Sequence, residues 1–500
     1  MNTMATSTLG SRPRTKNSPQ TFLMVAILIA LALSPLPLGS NRPVFWAFGA
    51  LIAGLGGAIY FGSFALRGER IRISTPWMKP AIILGGLYLG WLIVQILPLG
   101  LMLGGFETAL PSGLVITTNT LSLTPGATTV AALRVAGYGM VFMLVLQIAG
   151  NRDRAKYIAQ MLVFIVVGWA LYGLLALIQF DDTILLFEKW AYLGSATGPF
   201  VNRNSFATFL AMGMITCLGL AADRATRRNS MHSSSVTTRL TDASTMHIYL
   251  MILIGLVLLA TILQTNSRMG VFAGLIGTGL TTTLILARRL GLGRGTLLLV
   301  PVILIIVGSL SAWLYGGTLV DRLGGVEQDA NVRLAVYRQV LDMIAQRPVV
   351  GWGADSFEVV YRAFRAPPVS PEFSWARAHS TYLAHWSETG ILFGSIPLLL
   401  VGAAFFACLI AALRRDSDIV LPAIGAGVIA TGATHSLVDF SLEMQANVWL
   451  FLALVALALG GHKASSPVAH KAAEKSAAAG DPAIPAAQTH SRRRKRRRRS

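Results

Sequence analysis

Arg203 sits between two asparagines in the stretch Gly198-Pro199-Phe200-Val201-Asn202-Arg203-Asn204-Ser205. A guanidinium fork, two amides and free backbone N–H groups at a helix start can bind anionic oxygens, phosphate above all. The same residues equally suit a helix N-cap at Asn202 or Asn204, with Arg203 reaching for headgroups. A second arginine, Arg268, follows Thr265-Asn266-Ser267 in a tight turn between apolar runs, as an anion ligand or as an interfacial anchor. His379 opens the stretch His379-Ser380-Thr381-Tyr382-Leu383. A histidine there can take a proton from a sugar hydroxyl near neutral pH, or simply be a polar helix-start residue. His385 and Glu388, three apart, are placed to pair on one helix.

Two further sites lie within or at the end of apolar runs. Arg134 falls inside one, where insertion scales put a mid-membrane arginine at roughly 2.5–3.5 kcal/mol, so snorkelling or an anionic partner is expected. His435 and Asp439, four apart, are expected on one helix face as a structural pair, a proton relay or an acceptor contact. Walker loops, HExxH, dinucleotide fingerprints and CxxC pairs do not occur, so nucleotide-driven chemistry and zinc hydrolysis lack residues to carry them.

The elements that carry these residues are membrane spans. The chain has 500 residues, 54% of them apolar, with 49 glycines and only 13% charged. That charged share is about half the soluble-domain norm, too little to cover a water-soluble surface. A helix needs about 20 mostly apolar residues to cross the hydrocarbon core. Twelve such runs are read at 21–39, 43–66, 80–99, 128–149, 157–180, 202–222, 248–264, 269–287, 296–315, 391–413, 419–438 and 442–461. The fold class is an all-α integral membrane protein of about twelve spans. The first run is too long for a signal peptide, and Pro35 and Pro37 should end or bend it.

Basic residues recur in alternate connections, such as Arg67 and Lys79, then Arg152, Arg154 and Lys156, then Arg224, then Arg288 and Arg289, then Arg414 and Arg415. By the positive-inside rule these connections and both termini are cytoplasmic. The intervening connections, with Arg203, Arg268, His379 and Asp439, face outward. One outward loop, 316–390, is long and aromatic, and so is expected to be structured and functional. Within it, 331–346 reads as an amphipathic helix with Val332, Val336, Val340 and Met343 on its apolar stripe. A second helix is expected from near Ala378, merging into the tenth span. The organisation is therefore a cytoplasmic tail (1–20), a membrane domain (21–462) and a disordered polybasic cytoplasmic tail (463–500).

The net charge of +20 owes eight positives to Arg492–Arg499. That tail is read as binding anionic lipids, with no nucleic-acid partner expected. Cys217 and Cys408 lie in apolar runs and read as small buried hydrophobes rather than as metal or disulfide partners.

Seven stretches in order carry a family likeness: Pro35–Pro43, Leu121–Thr128, Gly198–Phe206, Asn266–Arg268, Tyr337–Gly353, His379–Leu383 with Glu388–Ile391, and His435–Phe440. With them the chain resembles the O-antigen ligase/polymerase family of polytopic bacterial membrane glycosyltransferases, over most of residues 20–460. It departs from that family at Ser380, where asparagine is frequent, and at Met269, where glycine is common.

The resemblance implies a donor glycan on undecaprenyl diphosphate at the periplasmic face of the inner membrane. The acceptor would be a glycan, as in exopolysaccharide or O-antigen polymerisation, or lipid A–core, as in ligation. It implies that Arg203 and Arg268 neutralise the diphosphate and that His379 orients or deprotonates the attacking hydroxyl. Metal independence is expected, because two arginines can meet the leaving charge, and no cofactor is expected. Asn202, Asn204, Ser267, Arg333, Arg338, Arg134, Glu388, His435 and Asp439 are the candidate substrate contacts. The competing class is a transporter or lipid-linked oligosaccharide flippase that forms no bond; against it, transporters gather polar groups near the midplane.

Overall fold

The computed structural model describes residues 19–68, 77–229, 243–291, 323–372, 374–415 and 418–460. The predicted ninth run, most of the N-terminal tail, the basic C-terminal tail and the start of the long loop lie outside the described residues.

Among the described residues, eight helices are long and apolar enough to cross a membrane. They are α2 (Pro43–Leu66), α3 (Met78–Ile96), α5 (Pro125–Ile148), α6 (Arg152–Ile178), α7 (Arg203–Asn229), α8 (Ala243–Gln264), α9 (Arg268–Leu290) and α13 (Ile391–Arg414). Three predicted runs form shorter helices: α1 (Pro19–Leu33), α14 (Val420–His435) and α15 (Gln445–Leu459). The first helix stops at Leu33, just ahead of Pro35 and Pro37. The protein is thus a helical polytopic membrane protein.

Burial sorts the helices. Of the apolar stretch of α7, 89% is enclosed, against 17% in α3 and in α13, so α7 is the central post and the other two face outward. It packs against α6, α8, α9 and α14. The α7–α9 contact is close because Gly270 meets Ala207, where an added Cβ would lie 2.4 Å from the alanine methyl.

The helix ends segregate by connection. At one end Asp223 receives Arg289 at 2.7 Å and Lys156 at 3.4 Å. There Arg152 pairs with Asp418, and Arg288 donates to the Arg415 carbonyl at 3.0 Å. These are the basic connections that the sequence put on one side. The stretches with candidate chemistry meet at the other end.

Three features depart from expectation. A two-stranded antiparallel hairpin, β1 (Phe106–Ala109) with β2 (Val115–Thr118), follows a one-turn helix α4 (Gly100–Leu103). Four-residue strands carry too short an alternation to stand out beside long apolar runs. The helix after Ala378 begins later, as α12 (Thr381–Thr389), and does not merge into α13. Gly390, at φ 79°, separates them, and only glycine holds that backbone without strain. Finally, α14 ends at His435, so Asp439 does not share its helix.

The amphipathic helix forms, as α10 (Leu323–Gln346). Val336, Val340 and Met343 pack with Trp352, Tyr361 and Phe364 in a separate small core, completed by α11 (Phe357–Phe364). Val332 is only partly buried against it. Arg338 and Asp342 are exposed, and Arg333 is partly buried.

Candidate functional site

Two helix starts stand side by side. Arg203 is the first residue of α7 and Arg268 the first of α9. Ser267 caps α9 by accepting the Gly270 N–H at 3.1 Å, and its hydroxyl donates to Asn204 Oδ1 at 2.8 Å. Asn202 in turn accepts the Asn204 N–H at 2.7 Å. The asparagines therefore order the two termini as well as presenting amides. Both helix dipoles direct positive ends to the same place, and each start carries a guanidinium. Arg268 is exposed; the Arg203 guanidinium lies 5.3 Å from the Tyr192 ring centre.

His379 is linked to this pair of helix starts electrostatically, by way of Asp439. The second amide hydrogen-bond site of Asn204 donates to Asp439 Oδ1 at 3.3 Å. Asp439 Oδ2 accepts from Ser441 and lies 3.6 Å from His435 Nδ1. His435 and Asp439 do meet, but through the turn after α14 rather than along a helix face. The charge of Asp439 also acts on His379, opposing the effect of Arg333 from α10. Burial dominates, pushing the imidazole from 6.5 down to about 4, so it is neutral at pH 7. Its ring stands edge-on between Trp375 at 5.2 Å and Phe440 at 4.9 Å. Its backbone is left-handed, at φ 53°, and Tyr337 donates to its carbonyl at 2.9 Å. Its Nδ1 is buried and makes no hydrogen bond within the protein. Arg203, Arg333, Tyr192, Tyr337, His379 and Asp439 thus form one electrostatic neighbourhood.

A second ionic cluster sits behind it. Arg377 donates to Asp355 at 2.7 Å and lies 3.4 Å from Glu443. Arg134 reaches Asp355 at 4.0 Å and stacks over Trp46 at 4.3 Å. The anionic partner expected for Arg134 is therefore Asp355. Asp355 and Glu443 hold the Arg377 charge in place against the cost of burial. Thr381 links this cluster to the first, donating weakly to the Asp439 carbonyl and to Glu443, both at 3.4 Å.

His385 and Glu388 do not pair. His385 Nδ1 meets the Tyr88 hydroxyl at 3.4 Å, while Glu388 accepts the Phe357 N–H at 3.3 Å. Burial and the nearby Asp355 push Glu388 up to about 8, and burial pushes His385 down to about 4. His385 faces α3 and Glu388 the loop scaffold, not the arginine-headed helices. Arg338 has no contact with the cluster; five residues from Arg333, it points from another face of α10.

Gln95, buried in α3, anchors the loop: its amide donates to the Val350 and Glu388 carbonyls at 2.8 and 3.0 Å. Ser122 and Thr128, hydrogen-bonded at 2.8 Å, complete the seat, and Thr128 donates to the Ala354 carbonyl at 2.9 Å. Gln95, Asp355, Arg377, Glu443, Tyr192 and Tyr337 were not singled out in the sequence. Gln95 did leave a signal, a carboxamide inside an apolar run; the loop residues left none among other polar residues. Among the described residues no group of three or more His, Cys, Asp or Glu is placed to hold a metal ion.

The fold and site define a polytopic helical membrane protein that gathers cationic helix starts and a neutral histidine at one end of its helices. Residues 253–396 match the family model described as O-antigen ligase. The match includes Arg268 and His379, and supports the O-antigen ligase/polymerase family as the one this chain resembles, with glycan transfer of that general type. No curated protein matches the chain.

Proposed function

We propose that the protein transfers a glycan from undecaprenyl diphosphate to an acceptor hydroxyl on the periplasmic face of the bacterial inner membrane, as an O-antigen or exopolysaccharide polymerase or ligase. The observation that carries this reading is that two arginine-headed helix starts are hydrogen-bonded through Asn204 to Asp439, whose charge acts on a neutral, buried histidine. As the anomeric C–O bond breaks, charge develops on the diphosphate. Arg203, Arg268 and the two helix N-termini are positioned to meet it. The acceptor hydroxyl attacks the anomeric carbon and its proton passes to His379. Asp439, whose charge favours protonated His379, stabilises the imidazolium formed. Arg333, Asn202 and Ser267 line the anion side, and Asn204 and Ser441 hold Asp439 in register beside His435. The positive-inside pattern supports a periplasmic site with both termini cytoplasmic.

The test is reconstituted protein in liposomes with an undecaprenyl-diphosphate oligosaccharide as sole sugar source, read by gel and mass spectrometry. Longer lipid-linked chains mark a polymerase, and product only after lipid A–core is added marks a ligase. His379→Ala should slow transfer about 10²–10⁴-fold and Arg268→Ala about 10²–10³-fold, with membrane levels intact. Wild-type rates in either variant would reject its assigned role. Movement of donor across the bilayer with no bond formed would favour a flippase.

A further inference from the structure

The connection from α6 to α7 is built in an unusual way for a segment between membrane helices. Its only basic side chain, Lys189, is folded inward onto Asp182 at 2.6 Å. Asp182 also accepts the Gly194 N–H at 2.7 Å, closing the loop at its base. The Tyr172 hydroxyl on α6 accepts the Leu185 N–H at 2.7 Å, and Ile184 is buried beneath. The apolar residues at the tip are turned out instead: Leu186 is 96% exposed and Leu193 70%, with Phe187 and Trp190 beside them.

This exposed surface continues one that the fold already presents to lipid. On α6, a candidate span, Phe164, Leu171, Leu175 and Ile178 are exposed along one helix face, and Phe180 and the loop tip extend that face past the helix end. The loop's exposed charges, Asp181 and Glu188, are both acidic. They limit its depth to the boundary of headgroups and acyl chains, where tryptophan also partitions best. The other end of the loop carries Tyr192, against the Arg203 guanidinium.

We propose that residues 180–193 form an interfacial wedge whose tip is seated in the acyl chains of the adjoining leaflet and which presents lipid-linked donor to Arg203. The occupant of the tip is bilayer lipid. The delivery role rests on the proposed function; the membrane seat does not. A lipid diphosphate moves with its isoprenoid tail in the hydrocarbon and its diphosphate at headgroup level. A loop apolar at its tip and coupled to an arginine at its root matches both halves.

A nitroxide attached at Leu186→Cys in lipid nanodiscs tests the seat, because Cys217 and Cys408 are fully buried and leave the new thiol as the reactive one. The label should collide more with oxygen than with an aqueous nickel chelate, the reverse of a label at exposed Glu372→Cys. A label at 186 open to the chelate overturns the wedge, whatever the protein's activity. The paired variant Leu186→Asp/Phe187→Asp should raise KM for the undecaprenyl donor at least about tenfold, with kcat within about twofold. It should leave a donor with a short, water-soluble isoprenoid unaffected. Equal losses with both donors overturn the delivery role. Absence of transfer by the wild type counts against the proposed function and leaves the nitroxide result standing.

Discussion

The electrostatics of single residues set opposite pH demands. Buried Glu388, pushed up to about 8, keeps a proton that an unfolded chain with a carboxyl near 4.5 releases. Its contribution to stability is full below about 4.5 and is lost as pH rises towards 8. His379 and His385, pushed from 6.5 down to about 4, act the other way: stability is lost as pH falls from about 6.5 towards 4. Glu388→Gln, which keeps the acceptor for the Phe357 N–H, should therefore flatten the fall in Tm between pH 5 and 8 in nanodiscs. An unchanged slope would show that Glu388 is ionised in the folded protein. The sequence made Arg203, Arg268 and His379 visible because they stand at the outward ends of apolar runs, where the positive-inside rule disfavours basic side chains. It called for an anionic partner for Arg134 but could not name Asp355, which lies more than 200 residues away in the chain.

At the scale of elements, small residues decide how the loop meets the helices. A Cβ on Gly353 would fall 2.1 Å from the Ser122 hydroxyl oxygen, and one on Gly351 2.3 Å from the Glu388 carbonyl. Gly353 is also left-handed, at φ 109°. Gly353→Val should cost roughly 1–3 kcal/mol in backbone strain alone, with the clash added, and should detach the loop from α3 and α5. Proteolysis of the loop in nanodiscs checks this; protection equal to wild type would refute it. The Pro348–Gly353 stretch is legible in the sequence as the end of a helix. Its function as a latch is not, since a latch is defined by its partner, here the Ser122–Thr128 and Gln95 seat.

For the whole molecule, the end opposite the candidate site is tied by Asp223, which takes Lys156 from α6 and Arg289 from α9 onto α7. Asp223→Asn leaves two cations facing a weak acceptor. It should lower stability by roughly 1–3 kcal/mol, seen as a lower Tm, while KM for the donor stays unchanged. A raised KM would mean that the two ends are coupled through α7. The basic residues counted for orientation are therefore also structural ligands, which the positive-inside rule does not require.

Composition and spacing alone determined the membrane class, the positions of the apolar helices among the described residues and the residue types fit for diphosphate and hydroxyl chemistry. These follow from local physics: a bilayer of fixed thickness, and the cost of placing charge in it. Only the tertiary structure decided that Asn204 joins the two arginine-headed helices, that Asp439 faces His379 from beyond the end of α14, and that His385 and Glu388 turn apart. Those contacts join residues as far as 235 positions apart for Asn204 and Asp439, and 297 for Tyr88 and His385. Local periodicity holds no information about pairs at that separation, because helix packing and the break at Gly390 set which ends meet.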